Sequence, residues 1–180
     1  MEYDINRLTE KVNAYNKVLA NTVKFRSVWN DSLRETIINT LNEVIKQSGL
    51  KAQVIHQTQI ENLDAIILDL GKSSSGLIEN VKNTDIHQIM IKHNGALVYQ
   101  QLFNGKIMVM IESPSIEKYS EPKPAKFIEI LRPDELNPLF IYRHMEFFLK
   151  DITDWEDYDD TDQKKPPIGF KPFEGSIEVH

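Results

Sequence analysis

Along the first 48 residues apolar positions recur every three or four places, and no glycine or proline interrupts them. Ile5, Leu8, Val12, Tyr15 and Leu19 form one series. Trp29, Leu33, Ile37, Leu41 and Val44 form a second, widened by Ile38 and Ile45. This period is that of amphipathic helices with one face on a core. Between the series, Ser32 and Glu35 have the spacing of a capping box, in which hydroxyl and carboxylate satisfy free amides reciprocally. The pattern predicts two helices, about 4–23 and about 31–48, stopped by Gly49.

From about 51 to 131 the period changes to two. Val54, His56, Thr58 and Ile60 alternate with Gln53, Ile55, Gln57 and Gln59, and Ala65 to Leu70 is a short apolar strand. Ser73 to Gly76 reads as a loop. Two Asn-Gly pairs, Asn94-Gly95 and Asn104-Gly105, are flanked by strand-like runs, the signature of two-residue hairpin turns. They predict a three-stranded meander of 86–93, 96–103 and 106–112, with Val98 opposite both Ile91 and Ile111. In that register one face carries Ile89, Ile91, Val98, Val109 and Ile111 around a buried Gln100. The other carries Met90, Leu97, Tyr99, Phe103, Met108 and Met110. A last strand spans Phe127 to Leu131. Asn137-Pro138 then provides an N-cap and a first-turn proline for a helix of about 138–152, with Leu139, Tyr142, Met145, Phe148, Leu149 and Ile152 on one face.

The fold class is therefore α+β: two N-terminal helices, a mainly antiparallel sheet of five to six strands, one C-terminal helix and an extended tail. Residues 1–152 form the single domain. Residues 153–180 are acidic, then rich in proline and aromatic residues, and too sparse in periodic apolar positions for a core. Trp155, Tyr158, Phe170 and Phe173, with Ile168, are the anchors by which this tail would dock.

Charge narrows the function classes. Residues 1–150 carry 18 basic and 18 acidic side chains, so the whole net charge of −6 lies in the last thirty. A neutral body with an acidic tail is unsuited to neutralising phosphates, which argues against nucleic acid as the partner. Cysteine is absent, which excludes disulfides and thiol chemistry. No apolar run is long enough for membrane insertion, and the N-terminus lacks a signal-like pattern, so the expected setting is cytoplasmic.

Candidate chemistry is sparse. Gly71-Lys72-Ser73 imitates the end of a phosphate-binding loop, but the first glycine of that motif would fall at Ile66. An EF-hand begun at Asp157 would place Asp162 at the required glycine and Ile168 at the required glutamate. His87 and His93 share a strand face but are six residues apart, about 20 Å, too far for one metal. No catalytic residue, metal ligand or cofactor motif is assigned.

The reading that remains is a non-enzymatic protein-interaction module, an adaptor, chaperone-like protein or assembly subunit. Its contact elements would be the Met/Tyr face or the aromatic tail, since thioethers and tyrosine suit an adaptable surface. The partner would be another protein chain, either a second copy in a homo-oligomer or part of a larger assembly. The alternatives are a metal-dependent or His/carboxylate hydrolase drawing on His56, His87 or His144, and a small-ligand sensor with a pocket lined by Gln100.

Overall fold

The computed structural model describes residues 4–80, 87–119 and 123–157. It is α+β: a long N-terminal helical rod, antiparallel sheets of five and three strands, and a C-terminal helix. Asp4 caps α1 (Ile5–Val28) by accepting from the Asn6 amide. The expected break after residue 23 does not occur. A five-residue π segment, Trp29–Leu33, carries the rod straight into α2 (Arg34–Ser48). Ser32 donates back to the Val28 carbonyl instead of capping a new helix. Gly49, in the left-handed region, ends α2 as expected.

The π segment has a packing consequence. Trp29, Leu33, Ile37 and Leu41 are all buried at a constant step of four residues. In an unbroken α-helix that step drifts sideways, whereas one wider π turn restores the phase. The large sheet has the order β1 (Gln53–Gln57), β2 (Ala65–Asp69), β5 (Ala96–Gln101), β6 (Ile107–Glu112) and β8 (Lys126–Leu131). The four buried side chains of the rod meet β2, β5 and β6. The last helix, α3 (Pro138–Glu156), starts at the expected Asn137 cap and covers the same sheet face. Its buried stripe is rotated from the expected one. Ile141, His144, Met145, Phe148 and Ile152 point inward, whereas Leu139 and Tyr142 are exposed.

The first Asn-Gly pair is not a hairpin turn. The strand before it, β4 (His87–His93), pairs with β3 (Lys72–Asn80) and β7 (Ser115–Ile116) in the small sheet, not with β5. One register runs through both sheets: Ala65↔Gln100 to Asp69↔Ala96 continues as Lys72↔His93 to Ser74↔Ile91. At the corner the Leu70 amide donates to Gly95 O at 3.1 Å and the Asn94 amide to Gly71 O at 3.0 Å. Thus β2–β3 and β4–β5 form one continuous ribbon, bent where Gly71 and Gly95 both take positive φ, and shared between two sheets. Ser73 to Gly76, expected as a loop, lies inside β3, where residues 75–77 bulge opposite Met90.

The second Asn-Gly does turn a hairpin, with one more residue than expected. The Gly105 amide donates to Leu102 O and the Leu102 amide to Lys106 O, both at 2.8 Å, closing a loop of Phe103, Asn104 and Gly105. Gly105 has φ +77°, as the bulge position of a three-residue loop requires. The extra residue slips the register by one and exchanges the faces of β5, while Ile107, Val109 and Ile111 of β6 stay on the core face as expected. Val98 lies opposite Ile67 and Met110, not Ile91 and Ile111. Leu97, Tyr99, Gln101, Ile107, Val109 and Ile111 face the helices and are buried. Gln100 is on the other face between Ala65 and Met108, half-buried, with its amide donating to the Leu63, Asp64 and Gln101 carbonyls.

The loop is also pressed onto the rod. A Cβ on Gly105 would lie 2.8 Å from the Phe25 Cβ and 3.1 Å from the Thr22 carbonyl, and Arg26 donates to Phe103 O at 2.7 Å. Gly49 has open space around the same atom. We expect Gly49→Ala to cost about 1 kcal/mol, the left-handed backbone penalty alone. Gly105→Ala should cost clearly more, because α1 backbone must also shift; paired urea denaturations give the difference.

Candidate functional site

A helix with a tertiary partner buries its stripe, and α1 does so only near its end. Phe25 is buried and Asn21 and Thr22 are half-buried, but every residue from Asp4 to Ala20 is exposed. Ile5 and Tyr15 are each 62% exposed, with Leu8, Val12 and Leu19 also open to solvent. The stripe expected as core therefore projects beyond the sheet over about 25 Å of helix. The sequence carries a signal for this. In α1 the apolar series steps 3-4-3-4 from Ile5, as in a coiled-coil seam, with Val18 the one large apolar neighbour beside it before Leu19. In α2 adjacent pairs such as Ile37-Ile38 and Val44-Ile45 broaden the face to that of a core helix.

The six residues expected on one contact face do not share a face. Leu97 and Tyr99 are fully enclosed beneath the helices. Met108 and Met110 are half-buried on the opposite face of the large sheet, Met110 in line with Val98, Ile67 and Ile55 and Met108 in line with Gln100 and Ala65. Met90 belongs to the small sheet, and Phe103 is at the exposed tip of the β5–β6 loop. The reason is the register slip together with the diversion of β4. Of the tail anchors, Trp155 is in the last turn of α3, its ring 5.9 Å from the Lys92 ammonium, which also pairs with Glu156. Tyr158, Ile168, Phe170 and Phe173 lie outside the described residues, as does the acidic stretch from Asp159.

The histidines occupy separate places. His144, enclosed in α3, joins Tyr99 to Glu129 of β8: the phenol is 3.2 Å from Nδ1, and Nε2 is 2.7 Å from the carboxylate. The pattern assigns the neutral tautomer, with Tyr99 O–H donating to Nδ1 and Nε2–H donating to Glu129. Desolvation pushes the imidazole below its ordinary value despite the nearby Glu129. Desolvation alone would raise Glu129, but hydrogen bonds from His144 and Arg143 outweigh it and lower this carboxyl. Burial, reinforced by the Glu129 charge, pushes the Tyr99 phenol well above its ordinary value. The chain of bonds is satisfied and closed to solvent at its tyrosine end, so it fastens α3 to β5 and β8.

His56 forms a second polar cluster. Its Nε2 is 3.2 Å from the buried Asp64 carboxylate, which also accepts from the Trp29 indole at 3.3 Å, with Arg34 at 3.8 Å. His87 instead meets Asn80 at 2.6 Å in the small sheet. Gly71-Lys72-Ser73 sits at the ribbon corner and opens a strand, with no helix to receive a phosphate. Among the described residues no group of three His, Asp or Glu side chains could hold a metal ion. A groove of about 280 Å³ opens between β8 and α3, beside Phe127, Phe147 and Asp151, and another of about 370 Å³ opens near His93 and Glu112. Neither touches Gln100. No described helix is long and apolar enough to cross a membrane. No family model, curated protein or solved structure matches this chain.

The buried relay predicts a pH profile. Unfolded chains protonate histidine near 6.5, and the fold resists this, so stability falls as pH drops below that value; Glu129 adds to the loss below 4.5. Tyr99 acts at the other end, since unfolding releases its proton near pH 10.0 and the fold retains it. Stability should then decline as pH rises above 10. Tyr99→Phe should flatten that alkaline arm while costing roughly 1–3 kcal/mol at pH 7 through the unpaired imidazole, as measured by urea midpoints across pH.

Proposed function

We propose that this chain is a non-enzymatic protein-interaction module whose main contact element is the projecting helix α1. The observation that carries the reading is the apolar stripe from Ile5 to Leu19, which the described residues of the fold leave in solvent. Monomeric soluble proteins rarely leave a contiguous apolar stripe bare. A helix of this length without packing is also only marginally stable in water, and Asn6, Thr9, Val12, Asn13 and Asn16 are not strong helix formers. A partner laid against the stripe would supply both the missing burial and the missing helix stability.

The same reading has the module act in the cytoplasm, as an adaptor, chaperone-like protein or assembly subunit. The aromatic tail remains a second contact element within it, beginning beside Lys92 and Trp155. Hydrolytic chemistry has less support. His56 and His144 each meet a separate carboxylate, and the imidazole of His144 is fully enclosed.

The test is comparative affinity purification from the native cells with the parent chain and a Leu8→Glu/Tyr15→Glu variant. A polypeptide retained by the parent and lost with the variant is the expected outcome. Equal recovery on both would remove α1 as the contact element.

A further inference from the structure

Resting on the interaction reading of α1, we propose that its partner is α1 of a second copy of this chain, in a parallel two-stranded coiled coil. The first argument is phase. With Ile5 as position a of a heptad, Val12 and Leu19 follow at a, and Leu8 and Tyr15 fall at d. Such a seam is self-complementary, because two copies in register stack like on like. β-branched Ile and Val at a, with Leu at d, is the combination that favours two parallel strands.

The second argument is charge. Arg7, Glu10, Lys17 and Lys24 fall at c and f, on the side away from the seam. The flanking e and g positions are instead Thr9, Asn16, Val18 and Val23, with Lys11 the one charge among them between Leu8 and Val23. A basic helix can therefore meet its own copy without setting like charges against each other, and the two valines extend the apolar seam. An occupant chosen by charge, such as an acidic segment, would meet few cations at the edge of the stripe.

The third argument is area. At the exposures found along the stripe, two copies laid together would bury on the order of 1,000 Å², the lower bound for a specific interface. The stripe stands clear of the body from Asp4 to Ala20, which leaves room for a helix alongside it.

Sedimentation equilibrium of the purified full-length chain is the test. The expected result is twice the 20.9 kDa chain mass at high loading, reverting to one chain mass in Leu8→Glu/Tyr15→Glu while near-ultraviolet circular dichroism of the core is retained. The chain has no cysteine, so Ile5→Cys gives one thiol per copy, which an added oxidant should convert to a covalent dimer where the two helices run parallel and Ile5 faces Ile5. A monomer at every loading, or a dimer indifferent to the double substitution, overturns the proposal. A dimer that dissociates in the double variant but does not cross-link through Ile5→Cys overturns the parallel arrangement. Protease protection of α1 in a monomer, lost on deleting residues 158–180, would assign the stripe to the chain's own tail and overturn self-pairing. A monomer that still captures a different protein from native cells through the stripe overturns the second copy and leaves the interaction reading standing. Loss of both results removes the two together.

Discussion

The hydrogen bond from the Trp29 indole to Asp64 organises this molecule, because it fixes where the helical rod leaves the sheet. Trp29 is fully buried and opens the π segment, and Asp64 stands just before β2. A buried carboxylate needs partners, and this one draws on the indole and Arg34 of the rod and on His56 of β1. On one side of that point Leu33, Ile37 and Leu41 follow the sheet as core. On the other, α1 is last buried near Phe25, against Gly105, and then runs free. The exposed apolar stripe is thus set by the place where burial stops.

The glycine corner has a comparable role in the sheets. Because Gly71 and Gly95 bend opposite each other in one register, the ribbon turns without losing its ladder. One pair of strands thereby supplies the centre of the large sheet and most of the small one. A side chain at Gly95 would strike the Glu112 carbonyl at 2.8 Å and Ile152 at 2.7 Å, so this corner is also where α3 closes onto the body. The Tyr99–His144–Glu129 relay holds the same helix near its middle. The polar groups most suggestive of chemistry are therefore those that join layers.

Much was legible from local pattern. The α+β class, the Asp4-to-Ser48 helical content, the Asn137 cap, the 65–70 strand and the glycine requirement at 49, 95 and 105 follow from period and backbone sterics, which act within a few residues. The heptad spacing of Ile5 to Leu19 was equally present, although by itself it reads as a core stripe like that of α2.

What the tertiary structure decided were matters in which two local answers were equally good. Asn-Gly supports both a two-residue and a three-residue turn, and only the fit of Gly105 beneath Phe25 and Thr22 accompanies the longer one here. One residue of difference then moved Leu97 and Tyr99 beneath the helices and Val98 to the opposite face. Asn94-Gly95 likewise permits a bend or a hairpin, and the competing strand β2–β3, distant in sequence, captured its neighbours. Whether an apolar stripe is core or contact surface is non-local for the same reason: the side chains specify that they must be covered, and the rest of the chain determines whether it reaches them.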